Sequence, residues 1–195
     1  MVGPSSPPPD DRPPRQPALS LTEGEPPAGA RRWAFRLEFV DANRQVQPTG
    51  SNLTPAVISY FKGPQDQWKA GLRTYQGVVY ADLWPGIDLE YSGTVNRLKY
   101  RFVVRPGADP AQIQLAYRGV TALRVNGNGQ LEVLTPLGTF RDDRPYAYQE
   151  VNGQQIAVDV AYALGTGRDP QSTYAFQLGP YDPGQPLIID PSQLL

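Results

Sequence analysis

Three acidic residues, Asp82, Asp88 and Glu90, crowd the turn Trp84-Pro85-Gly86 beside Tyr80 and Tyr91. Two carboxylates next to aromatic rings could act as acid and base on a glycosidic bond. Asp88 and Glu90 share parity along one extended segment, however, as on a solvated strand face. An aspartate just past a Gly-Ile turn serves equally well as an acceptor for backbone N–H groups. A second acidic pair, Asp142-Asp143, lies between Arg141 and Arg144. It lacks the alternating Asp/Asn and Gly spacing of a calcium loop, and the adjacent arginines compete for its oxygens, so ion pairing is the expected role. Arg97, Lys99, Arg101 and Arg105 form a cationic stripe of one parity that could face phosphate or glycan. Such a stripe also keeps strand edges from associating. Trp68, Trp84 and Tyr80, in or beside turns, could stack on sugar rings or pack across strands. Asn52-Leu53-Thr54 has the spacing of a glycosylation acceptor, which is most simply incidental.

The chain contains no cysteine and no histidine. Disulfides, thiol nucleophiles, zinc–thiolate sites and imidazole bases are therefore ruled out, and packing and hydrogen bonds must hold the fold. Eighteen basic against nineteen acidic residues leave a net charge of −1, so no global field draws nucleic acid or anionic lipid. No catalytic, cofactor or metal site is expected. No run of about 18 apolar residues suggests a membrane span, and no charged-then-apolar leader opens the sequence.

The elements that would position these residues repeat with period two. Trp33, Phe35, Leu37 and Phe39 alternate with polar neighbours, and similar runs follow at Ala56–Phe61, Tyr75–Tyr80, Ile87–Tyr91 and Leu98–Val104. Beyond Pro106-Gly107 come Ile113–Tyr117, Leu123–Val125, Leu131–Val133, Tyr146–Val151, a long strand Ile156–Leu164, Tyr174–Leu178 and Leu187–Ile189. Asn126-Gly127-Asn128-Gly129 and Asn152-Gly153 are hairpin signals, because Asn and Gly accept positive φ. Helical periodicity is absent, Pro64–Lys69 offering the best chance of a single turn. The expected fold is all-β: an antiparallel sandwich or barrel-like domain of roughly twelve strands over residues 32–195.

Residues 1–31 differ in kind. Nine of the 22 prolines fall in the first 27 positions, and proline cannot serve a central sheet. This segment reads either as an extended tether or as an arm that orders on a neighbouring subunit. Ala18-Leu19-Ser20-Leu21-Thr22 is the piece of it able to act as a strand.

Several phrases occur in a fixed order: Trp84–Leu89, Tyr100–Val104, Pro106–Pro110, Thr135–Gly138, Pro145–Gly153 and Ile189–Pro191, with Ser59–Gly63 and Trp68 ahead of them. In these the chain resembles the N-terminal β-rich domain of unknown function that precedes SBBP (beta-propeller) repeats in bacterial surface and secreted proteins. It departs from that pattern at Trp84, where tyrosine is usual, and at Arg101, where an acidic residue is usual. It departs also in the proline-rich start and in lacking propeller repeats after Ile189–Pro191. The resemblance implies an extracellular or cell-surface bacterial module.

A sheet short of flanking strands exposes backbone donors and acceptors, which favours strand donation between copies. Head-to-tail donation would build a filament. The expected role is a non-enzymatic structural module that self-assembles, as a filament or surface-layer subunit, through its N-terminal arm or by strand complementation. The alternative is a carbohydrate-binding module using Trp68, Trp84 and Tyr80.

Overall fold

The computed structural model describes residues 32–94, 97–165 and 172–191. The chain divides into two units, residues 1–31 and 32–195. The first unit, with Ala18–Thr22, lies outside the described residues.

The second unit is all-β; its described residues form fourteen strands joined by turns and two short 3-10 segments. One of those segments, Gln65–Gln67, falls inside the stretch marked for a single turn. The strands are β1 (Arg36–Phe39), β2 (Thr49–Tyr60), β3 (Lys69–Trp84), β4 (Ile87–Thr94), β5 (Arg97–Val104), β6 (Gln114–Arg118) and β7 (Ala122–Val125). After them come β8 (Leu131–Thr135), β9 (Gly138–Asp142), β10 (Tyr146–Val151), β11 (Gln154–Val158), β12 (Val160–Leu164), β13 (Thr173–Leu178) and β14 (Leu187–Asp190). Three antiparallel sheets result: β11-β10-β14-β5-β4-β3-β2, β1-β6-β13-β12 and β7-β8-β9. They do not close into a barrel.

Alternation explains the core. Ile87 and Leu89 on β4, Tyr100, Phe102 and Val104 on β5, and Leu187 and Ile189 on β14 point inward from the large sheet. Leu115 and Tyr117 on β6, with Tyr174 and Phe176 on β13, meet them from the four-stranded sheet. The Phe102 and Phe176 rings lie 5.8 Å apart across the interface. Each such buried side chain stabilises the fold by about 1.5–3 kcal/mol. The three-stranded sheet joins through Phe140, which packs edge-on against Tyr117.

Two expectations about strands change. The long strand expected at Ile156–Leu164 is two, β11 and β12, which belong to different sheets. The chain changes sheets at Asp159, whose carbonyl accepts the Gly179 N–H instead. Alternation continues across the break because Val158, Val160 and Tyr162 all face the same core. Second, β9 is a strand in its own right, although only Phe140 along it is a large apolar residue.

Buried Gln149 on β10 clasps the turn before β14. Its amide donates to the Asp182 carbonyl and accepts the Asp182 N–H, both at 2.8 Å. This gives the Tyr148-Gln149-Glu150 phrase a structural purpose: it fixes where the last strand enters the sheet.

Candidate functional site: a braced turn, a buried carboxyl and a projecting ribbon

The carboxylates at the Trp84-Pro85-Gly86 turn are bound into a clasp. Asp82 sits at φ 51° in a bulge of β3, and its carboxylate accepts the Gly86 N–H. Asp88 accepts the Asp82 N–H at 2.7 Å. Arg105 spans both acids, donating to Asp82 at 2.8 Å and to Asp88 at 2.6 Å. One strand pair away, Glu90 accepts from Arg101 at 2.6 Å. None of the three acids is left as an unpaired acid or base, and Arg101 and Arg105 of the cationic stripe are spent on them. Acidic partners hold the Arg105 guanidinium charged, its pKa raised chiefly by the hydrogen bond to Asp88.

The aromatic trio does not form one platform. Trp84 is 2% exposed, donates its indole N–H to the Val40 carbonyl at 2.9 Å and packs against Phe39 and Phe102. It is a core anchor with no face for a sugar, which corrects its placement among stacking residues. Tyr80 is half-buried and meets Tyr91 edge-on. Only Trp68 is well exposed, at 44%; it lies edge-on to Phe61 and donates to the Gly63 carbonyl.

Asp142 also departs from expectation. It does not pair with a neighbouring arginine, for it is fully buried and Arg141 turns outward to Glu132 at 2.9 Å. Asp143 accepts from Gln130. Asp142 is surrounded by tyrosines of two other sheets: Tyr117 of β6, Tyr174 of β13 and Tyr162 of β12, with Tyr100 of β5. Tyr117 donates to one carboxyl oxygen at 3.3 Å, and the other oxygen has no partner. Tyr100 and Tyr174 influence each other's titration, yet neither hydroxyl completes a hydrogen bond of ordinary geometry. Tyr162 donates to the Asp143 carbonyl at 2.9 Å. No cation pairs with Asp142 among the described residues. Burial therefore pushes its carboxyl up to about 7, helped by the charge of Asp143 and opposed by the Tyr117 hydrogen bond. A signal for this was present: Phe140 and Asp142 share parity on β9, so the strand that buries one buries the other.

Many of the exposed large apolar side chains among the described residues sit on a ribbon. β3 pairs with β4 only from Gly77 onward, so Lys69–Gln76 have β2 as their sole strand partner among the described residues. Leu53 faces Tyr75 and Ile58 faces Leu72, and all four are exposed. Val57, Tyr60 and Phe61 are exposed as well, Val57 at 65%. An isolated two-stranded ribbon is marginal in water, so this one carries apolar surface without a core beneath it. Internal braces keep it in register: the Thr54 and Thr74 hydroxyls bond each other, and Ser59 accepts the Gly71 N–H. Where the ribbon leaves the sheet, β2–β3 and β4–β5 diverge around a groove of about 590 Å³. Ser51, Asn52, Gln76, Tyr91, Ser92 and Lys99 help to line it.

No curated protein matches the chain, and no solved structure matches it. A family profile, described as a domain of unknown function (DUF7948), matches residues 7–192 and so takes in most of the proline-rich segment as well as the β unit. Spanning nearly the whole sequence, that match makes this chain a member of the DUF7948 family.

Proposed function

We propose that this domain is a non-enzymatic structural module that associates with other copies of itself by strand addition, in an extracellular or cell-surface bacterial setting. One observation carries the self-association: β2, twelve residues long and without a charged side chain, runs along the outer edge of the large sheet on a ribbon of exposed apolar residues. Long edges are commonly blunted with charged side chains, proline or bulges; β2 has Pro55 and two register shifts against β3 but no charge, the feature that most directly repels another strand. The pairing of Asp82, Asp88 and Glu90 with arginines supports a non-catalytic role. The setting rests on the resemblance to domains preceding SBBP repeats.

Sedimentation velocity across a wide concentration range tests the reading. Concentration-dependent oligomers are expected, and a single monomeric species up to high concentration would remove it. Repeating the run without residues 1–31 separates the two routes: edge-driven association persists, and arm-driven association disappears.

The groove at the base of the ribbon favours a second reading, as a carbohydrate-binding module. Ser51, Asn52, Gln76 and Ser92 bring hydroxyl and amide groups next to the Tyr91 ring, the mixture a sugar needs. Chemical-shift changes confined to these residues on titration with oligosaccharides would support it. Their absence across a glycan panel would retire it.

A further inference from the structure

We infer that the occupant of the β2 edge is β2 of a second copy, joined antiparallel about a two-fold axis perpendicular to the sheet. This rests on the self-association reading above and specifies its geometry. The argument begins with direction. Every neighbouring pair in the seven-stranded sheet is antiparallel. An odd number of alternating strands leaves the two edges, β11 and β2, running the same way. Head-to-tail addition that keeps both sandwiches on one side of the continued sheet would therefore set β2 parallel to β11. A two-fold axis instead sets β2 against β2 antiparallel, with both sandwiches on the same side. Antiparallel ladders are slightly the more stable per residue, and an isologous contact closes on itself.

Length and charge point the same way. β11 offers five residues of edge against twelve for β2. Pro55 removes one donor from the seam, as edge strands tolerate. No charges oppose each other across a β2–β2 seam, since β2 has none. Antiparallel pairing carries each ribbon tip, with Lys62, Asp66 and Lys69, toward the body of the other copy. The ribbon from Thr49 to Val78 bears Lys62, Lys69 and Arg73 against Asp66, so it is net +2, while the remainder of the β unit, residues 32–48 and 79–195, is net −2. A ribbon of net +2 thus approaches a remainder of net −2, with no like-charge excess to oppose it, and Leu53, Val57, Ile58 and Tyr60 gain apolar neighbours along the seam.

The absence of native cysteine makes the geometry directly testable. Single variants Leu53→Cys, Thr54→Cys, Pro55→Cys and Ala56→Cys in the full chain, oxidised and run on non-reducing gels, should include at least one that cross-links efficiently to itself. Val57→Lys should weaken association by at least roughly tenfold, since an edge lysine opposes pairing, and leave the thermal melt of the monomer in place. Mixing Ala56→Cys with Gln155→Cys probes the head-to-tail alternative. Cross-links found only in that mixture would overturn the two-fold arrangement and leave self-association standing. Oligomers in which no β2 cysteine cross-links would assign the contact elsewhere, again overturning it. A monomer at every concentration would sink both this inference and the reading beneath it.

Discussion

The junction around Asp142 and the ribbon of β2 and β3 invert the usual arrangement in opposite senses. At the junction a carboxyl and four tyrosine hydroxyls lie within a core built from three sheets, and three polar oxygens go without partners. On the ribbon, apolar side chains stand in solvent on both faces. The difference lies in what neutralises each anomaly. A buried carboxyl without a cation relieves its cost by keeping a proton, which needs nothing outside the chain. Exposed apolar surface has no such internal remedy, because only another surface can cover it. The first region is thus expected to respond to pH and, under the proposed self-association, the second to concentration.

That contrast can be broken most sharply with the two tryptophans. Trp84→Ala should cost about 3–5 kcal/mol in urea unfolding, as a fully packed aromatic does. Trp68→Ala should barely change the stability of the β unit, by no more than about 0.5 kcal/mol. Equal losses would mean that the ribbon shares the core.

Next in size is the pH response. The Asp142 pKa is raised in the folded state, so its contribution is fully present below the unfolded value near 3.8 and is lost as pH climbs through about 7. That window is worth on the order of 4 kcal/mol. Wild-type stability should fall between about pH 4 and pH 7 relative to Asp142→Asn, which lacks the titration. Parallel pH profiles for the two proteins would show that Asp142 finds a cation or water that holds it ionised. Glu38 and Glu132 act on the acid side: hydrogen bonds from Arg118 and Arg141 lower their pKa values, so what they add is lost only as pH falls through those lowered values.

A smaller effect is expected at the braced turn. Arg105→Met should cost about 0–1 kcal/mol, because Arg105 and Asp82 are solvent-accessible and only Asp88 of the three is mostly covered. It should act mainly by loosening the turn, read as faster amide exchange at Gly86. An unchanged exchange rate would mean that the bulge at Asp82 holds without its arginine.

Most of the strands were legible from alternation alone, because inward residues such as Leu115 and Tyr117, or Tyr174 and Phe176, keep their parity within each element. What alternation could not supply was membership. Val158 and Val160 look continuous in sequence, yet they belong to different sheets, since a chain that bends at Asp159 keeps the same parity toward a shared core. Nor could it tell a buried aromatic from an exposed one. Trp84 and Trp68 both stand by Pro-Gly or Gly-Pro turns, and only the long-range neighbours Phe39 and Phe102 bury the first. The expected pairing of Asp142 with its adjacent arginines failed for a similar reason: sequence neighbours on a strand point to opposite faces, so Arg141 was the residue least able to reach it. The assembly segment Ala18–Thr22 lies outside the described residues, and the edge at β2 supplies the place where association is now expected.

The strand order of the large sheet also sets a timetable. β14, almost the last segment described, is inserted between β10 and β5 rather than added at a border. A ribosome or secretion channel releasing this chain from its N-terminus would already have delivered the four strands β2–β5 and the pair β10–β11, with the slot between them vacant. Until residues 187–190 emerge, both borders of that slot stay open to intruding strands, including β2 of another nascent copy. The interval between the emergence of β11 and of β14 is when misassembly would be easiest, and a holding chaperone would matter most then.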